Sequence, residues 1–389
     1  MYWRVIVKLF ALRIILLTLV LSSINASWGA EKAPLNVYVP GSYTGMMPFL
    51  ATAIYESALA FAKKQNLNGG LNGRQINVIA QDDKNDITLA EKNAFIATAD
   101  PNHFLTIGHP FSSMAIPIGK LYEKNKKLFA TPYATNREIG QIGKFVKQLC
   151  FDDLLQATIL ANTATNELKA NKILVLFNES DPYSSGLAKD FISQLNGTRT
   201  VKIKSYGYIF DHIDYKVLIS SISDFQPNMI FLPELKVRAA EILKEILSSD
   251  FKAIPVLGSD GWGSEAGTID IFFSGLNGES KPKILYTYHY HEAVKSPENL
   301  KLKAEFKSLK IEPYGPAVIS YEFLKEIVNL SQKIKSVDNA KIAARMKNYT
   351  YKTSMGDVTF SAKGTKKNMV LLELTRTGLK LLKVVKAKE

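Results

Sequence analysis

A single cysteine, Cys150, serves 389 residues, so no disulfide can form within the chain and its stability must come from buried apolar surface. We read Cys150 as a small buried hydrophobe. Beyond the N-terminus no segment is apolar for the roughly 20 residues that a bilayer span takes. Signatures of catalysis are scarce. There is no Gly-x-Ser-x-Gly elbow, no Cys/His nucleophile arrangement and no Gly-x-Gly-x-x-Gly dinucleotide loop. The glycine-rich run Gly258–Gly263 lacks the Lys-Ser/Thr ending of a phosphate loop. Of the five histidines, His289 and His291 lie two apart on an expected strand and share a face, but no third metal ligand accompanies them. The expectation is a non-enzymatic chain with no cofactor and no metal.

What the chain does have begins with its leader. Arg4, Lys8 and Arg13 precede an apolar run over 14–21, and small and polar residues follow to Ala30. A basic flank, a short apolar core and a small-residue exit describe a secretory signal peptide over 1–30, with cleavage open between Ala26, Gly29 and Ala30. A single N-terminal anchor is the other reading of the same stretch. Without the three basic residues of the leader, 46 basic residues stand against 36 acidic, a net +10. The lysines are scattered on polar helix faces, so a solvated basic surface is expected and nucleic acid is not an expected partner.

After the leader, strand-like runs alternate with helix-like runs. Leu35–Val39 reads as a strand, and Met47, Leu50, Ile54, Ala58 and Phe61 place one apolar stripe along a helix over 47–64. Helices are also expected over 87–99, 112–126, 152–170, 184–195, 235–248 and 316–330. Strands are expected over 75–80, 104–107, 127–131, 172–177, 228–232, 254–257 and 284–288. Such alternation predicts an α/β fold with parallel sheets covered by helices on both faces. The cadence breaks near 150–153 and starts again at Lys172, which suggests two Rossmann-like lobes crossed by the chain more than once. The run 356–360 with Lys363-Gly364, then 368–374, looks like a two-stranded element.

The stretch from Asn68 to Asn136 is the most specific. A turn, Gly69 to Arg74, leads to a strand and Asp82-Asp83. The next two strands end in Gly108-His109-Pro110-Phe111-Ser112-Ser113 and Pro132-Tyr133-Ala134-Thr135-Asn136. Hydroxyl-bearing loops at strand ends, one opening a helix, suit a small anion. With the Tyr183 segment, this pattern resembles the leucine/isoleucine/valine-binding family of periplasmic ligand-binding proteins, over about 36–378. The resemblance implies the type I periplasmic binding fold, with a multi-strand hinge between its lobes. It implies lobe 1 over 31–152 plus 284–355, and lobe 2 over 153–283 plus 356–389. It further implies export to the periplasm and capture of an amino acid or related small polar solute. The partners implied are the permease and ATPase subunits of an ABC transporter, with the binding protein itself a monomer. A ligand-sensing regulatory module using the same cleft is the alternative.

A small zwitterion needs donors for its carboxylate and an acid for its ammonium, since an unpaired buried charge costs several kcal/mol. Ser112 and Ser113 at a helix start fit the carboxylate; the plain alternative is a helix cap. The resemblance implies that Tyr133 offers its backbone carbonyl, and Thr135 its hydroxyl, to the ligand. It also implies that Tyr183 packs over the ligand from lobe 2 and that Asp260 pairs with the ammonium. The plainer readings are a helix cap for Thr135, surface packing for Tyr183 and an Asp-Gly turn for Asp260. Tyr43, Phe49 and Leu50 are candidates for the side-chain pocket, and Glu234 for a second acid. The chain departs from the family pattern where a disulfide would join the positions near Asn85 and Phe111. Phe111 and Tyr133 are also bulkier than usual, and Leu235 stands near a position where an aromatic is typical.

Overall fold

The computed structural model describes residues 32–198, 200–209, 212–264, 267–276, 282–361 and 364–387; the expected leader over 1–30 lies outside the described residues. Strands β1 (Leu35–Gly41), β2 (Ile76–Asp82), β3 (His103–Ile107), β4 (Phe129–Thr131) and β5 (Val146–Gln148) form one parallel sheet in the order β2-β1-β3-β4-β5. Its crossover helices are α1 (Pro48–Leu67), α2 (Ile87–Ala99) and α3 (Ser112–Lys124).

A second sheet carries β6 (Lys172–Asn178), β7 (Lys202–Tyr208), β8 (Met229–Phe231), β9 (Val256–Leu257) and β10 (Ile284–Tyr288), all parallel. The helices between and before them are α4 (Asp153–Asn162), α5 (Pro182–Leu195), α6 (Tyr215–Phe225), α7 (Lys236–Ser248) and α8 (Thr268–Phe273). The chain then returns to the first lobe with α9 (Pro297–Leu309), α10 (Gly315–Lys333), which packs on α1, and α11 (Asn339–Arg345). It finishes with β11 (Thr350–Thr353), β12 (Gly356–Ser361) and β13 (Gly364–Lys366), then β14 (Met369–Thr375) and β15 (Gly378–Val385).

Local chemistry explains most of these boundaries. Ile173 to Leu176 are wholly buried, as expected of strands covered on both faces, so they read as a continuous apolar run rather than an alternation. Asp86, Asp152, Asp181 and Asp214 accept backbone N–H groups as helix caps. Pro48, Pro182 and Pro297 occupy first-turn positions where a missing N–H costs nothing. The helix expected over 152–170 stops at Asn162 and unwinds through a π-turn, Thr163–Glu167, before Lys169 adopts a left-handed φ of 53°.

Two expectations on domain organisation change. β10 pairs with β9 and β14 in the second sheet, so the return to lobe 1 comes after Tyr288 and not at 284. The C-terminal strands are not one two-stranded element. Gly356–Ser361 joins β11 and β13 in a separate antiparallel sheet, while β14 and β15 add an antiparallel hairpin to the second sheet. Lys363 lies outside the described residues. The small sheet rests on lobe 1, where Thr365 Oγ1 donates to the Gln148 carbonyl at 2.6 Å. The chain therefore crosses between lobes three times, around 149–153, 289–296 and 366–369.

The second and third crossings are tied together by Lys367, whose buried Nζ donates to the His289 carbonyl at 3.2 Å. Burial pulls this ammonium down to about 8, against the pull of Glu322.

Lobe 2 is held by side chains such as Phe231, fully buried and stacked on Phe191 with ring centroids 4.0 Å apart. Phe231→Ala should cost about 3–5 kcal/mol of stability, the range for emptying a packed aromatic site. Denaturant titration followed by circular dichroism measures it, and a loss below about 1 kcal/mol would show that the stack is not a core contact.

Candidate functional site

In parallel sheets, the loops at the carboxyl ends of the strands define a crevice. Here both sheets turn those ends toward each other. Between them lies a cavity of about 370 Å³, whose wall takes Pro110 to Ser113 and Tyr133 from lobe 1 and Tyr183 and Asp260 from lobe 2. That volume falls in the range of small-molecule sites.

The lobe 1 wall is built by its glycines and acids. Gly108 packs so tightly that a Cβ there would sit 2.3 Å from the Pro40 carbonyl oxygen, which is why the loop after β3 can turn at this point. His109 follows with a left-handed φ of 46°, and its Nδ1 lies 3.1 Å from Asp83 Oδ2, tying this loop to the one after β2. Asp82 and Asp83 accept the amides of Lys84 and Asn85 at 3.0 and 2.8 Å, holding both residues in left-handed conformations on the cavity wall. The acidic pair is thus a turn builder.

α3 starts at Ser112 after Phe111, which offers no side-chain cap. Its first N–H groups and the exposed Ser113 face the cavity with the positive end of the helix. Ser112 is buried, and its hydroxyl accepts the Asn136 amide at 3.4 Å, so this serine also braces the neighbouring strand-end loop.

On lobe 2, Asp260 is the meeting point. Its Oδ1 accepts Gln156 Nε2 from α4 and the Tyr183 hydroxyl from α5, each at 2.8 Å. Its Oδ2 lies 3.0 Å from His289 Nε2 in the second crossing. Burial lowers the His289 pKa against the pull of Asp260, which favours a neutral ring that donates from Nε2. The Asp260 backbone carbonyl accepts the Tyr133 hydroxyl at 2.8 Å, a bond from one lobe to the other. Asn136 Nδ2 to the Pro182 carbonyl at 2.8 Å, and Arg137 to Asp190 at 3.3 Å, add two more. Gly261 has no room for a side chain, because a Cβ would lie 2.9 Å from the Tyr183 hydroxyl that its own N–H donates to.

Ser112, Ser113, Tyr133, Tyr183 and Asp260 therefore share one cavity. Thr135 sits just behind it, fully buried beside Asp153. Tyr43 and Glu234 are not on the wall. The Tyr43 hydroxyl folds back to the Val39 carbonyl at 2.9 Å, because its amide is drawn to Asp82. Glu234 turns inward, where its carboxylate takes the Tyr208 hydroxyl at 2.6 Å and the Leu235 amide at 2.7 Å. Burial raises Glu234 to about 7.

The expected His289–His291 face does not form, since β10 ends at Tyr288 and His291 accepts the Ala293 amide instead. No group of three potential metal ligands occurs among the described residues. Cys150 is buried as expected, its Sγ 3.1 Å from the Ala134 carbonyl. Sequence reasoning missed Met46, Lys84, Asn178 and Asp181 on the wall. Of these, Asn178 ends β6 and Asp181 caps α5 three residues on, and that place at a strand end is the signal that could have found them.

Two sheet-and-helix lobes, three crossings and a cavity of mixed apolar and polar lining between opposed strand ends define a bilobed solute-binding protein. A family model described as periplasmic binding protein matches residues 37–378, and the chain belongs to that family. The Leu/Ile/Val-binding protein homolog 1 of Brucella suis is 26% identical, with 89% of this chain and 91% of that one aligned. An amino acid binding protein of Pseudomonas aeruginosa is 24% identical over 90% and 92% of the two chains. Among solved structures, a leucine binding protein from Thermotoga maritima shares the fold with a TM-score of 0.79 at 21% identity, covering 90% of this chain and 99% of that one. A solute binding protein from R. palustris in complex with 4-hydroxybenzoate does so with 0.80 at 16% identity, covering 92% and 98%.

Tyr133→Phe removes the bond to the Asp260 carbonyl and should favour the open form by about 1 kcal/mol, the net worth of a typical hydrogen bond. Small-angle X-ray scattering of the ligand-free protein should show a larger radius of gyration. An unchanged radius would mean that this contact does not hold the lobes together.

Proposed function

We propose that the chain captures an amino acid or a related small polar solute between its lobes and delivers it to the permease and ATPase of an ABC transporter. The observation that carries this reading is the pairing of unlike chemistry across one cavity. The α3 start and its serines lie on one side, and Asp260 with Tyr183 on the other. Relatives named for binding amino acids support it. The leader over 1–30 supports export to the periplasm.

In this reading the solute carboxylate meets the free amides of Ser112 and Ser113 and the Ser113 hydroxyl. Its nitrogen meets the Tyr133 carbonyl, the Thr135 hydroxyl and Asp260. Tyr183 covers it from lobe 2, and the three crossings act as the hinge. A ligand biases closure only as far as it binds the closed form better, so contacts from lobe 2 set the coupling that a permease reads.

A thermal-shift screen of amino acids, amides and small carboxylates on the mature protein should find a compound that raises the melting temperature. Asp260→Asn should then weaken an ammonium-bearing ligand by about 2–5 kcal/mol in calorimetry, as when a buried charge loses its partner. An unchanged affinity removes Asp260 from the site, and a screen without any stabilising compound removes the cleft reading.

A further inference from the structure

Behind the cavity, acceptors outnumber donors. Asp153 opens α4 and is 1% exposed, and the Thr135 hydroxyl beside it is the one side-chain donor its carboxylate meets among the described residues. Gln156 Oε1, one helical turn further along α4, is buried and has no hydrogen-bond partner. Both hydrogens of Gln156 Nε2 are committed, to Asp260 at 2.8 Å and to Thr287 Oγ1 at 2.7 Å. Asp153 also feels the Asp260 charge. Asp260 has its donors in Gln156, Tyr183 and His289, so the shortage falls on Asp153, a buried acid with a single hydroxyl for a partner, a costly arrangement unless a further donor arrives.

We propose that Asp153 is a specificity-determining residue of the solute cleft: it accepts the Thr135 hydroxyl hydrogen, aims that oxygen's lone pairs at the guest, and adds a second negative charge, so that the cleft selects cationic nitrogen over plain carboxylic acids. The inference rests on the cleft being the solute site. It separates two ligand classes that structures of this fold hold, isoleucine in a Streptococcus pneumoniae protein and 4-hydroxybenzoate in the R. palustris one.

A proton linkage follows. Burial holds Asp153 well above the usual carboxylate range; the neighbouring charges of Asp260, Asp152 and Asp190 push it further, and Thr135 pulls it down. Tyr183 and Cys150 also face it, and Arg137 pairs with Asp190 at the edge. A cation arriving at Thr135 favours the ionised acid, so binding expels a proton. Affinity for an amine-bearing solute therefore rises as pH rises toward the ligand-free pKa of Asp153, and levels off above it.

The test uses the mature protein and a panel made of the proteinogenic amino acids, their des-amino acids, their decarboxylated amines and 4-hydroxybenzoate. Amine-bearing members should bind, des-amino members should not, and Asp153→Asn should weaken the amine ligand by about tenfold or more while flattening its pH dependence. The helix cap at Asp152, which accepts the Leu155 amide at 2.9 Å, is untouched by this change. Equal binding of a des-amino acid or of 4-hydroxybenzoate would overturn the inference and leave the solute cleft standing, as would an Asp153→Asn protein with unaltered affinity. Failure of every panel member would overturn the cleft reading itself. Should the variant not fold, the wild-type pH profile decides: an affinity for the amine ligand that stays flat as pH rises above the usual carboxylate range overturns the inference.

Discussion

The closed arrangement depends on one carboxylate. Asp260 gathers a helix amide from α4, a phenol from α5 and an imidazole from the second crossing, while its backbone carbonyl takes a phenol from the opposite lobe. Each partner comes from a different segment, so the side chain fixes their mutual positions more than any pairwise packing does. Hydrogen bonds to a carboxylate are stronger than those between neutral groups, and burial raises the cost of breaking them. The geometry of the crevice is in this sense specified from lobe 2, with lobe 1 supplying the complementary donors.

Much of the scaffold was legible because its rules are local. Strands buried on both faces write themselves as short apolar runs, and Asp or Pro at the following helix start marks the turn, so β1, β6, α2 and α5 stand almost where periodicity puts them. The C-terminal strands were not legible in the same way. β12 finds its partners nearby in an antiparallel sheet, whereas β14 pairs with β10, some eighty residues earlier, and nothing in the local pattern distinguishes the two fates. The same limit moved the second crossing to the far side of Tyr288.

The site shows the corresponding boundary between position and direction. Strand-end placement brought Ser112, Tyr133, Tyr183 and Asp260 to one cavity. It also nominated Tyr43 and Glu234, whose side chains are captured by the Val39 carbonyl and the Tyr208 hydroxyl instead. Those captures depend on neighbours that only the folded chain supplies. Asp153 and Gln156 escaped notice for another reason: they open α4 at the first crossing, where the sequence reads as a break in the cadence.

The lone thiol has a practical corollary. Cys150 is fully enclosed and its thiol is pushed well above the usual range by burial, so the thiolate that reacts with alkylating dyes is suppressed. A cysteine introduced on the crevice rim would consequently be the single labelling handle on the native molecule. With an environment-sensitive fluorophore attached there, each jaw movement becomes an optical signal, and the scaffold becomes a reagentless sensor for whatever guest it holds.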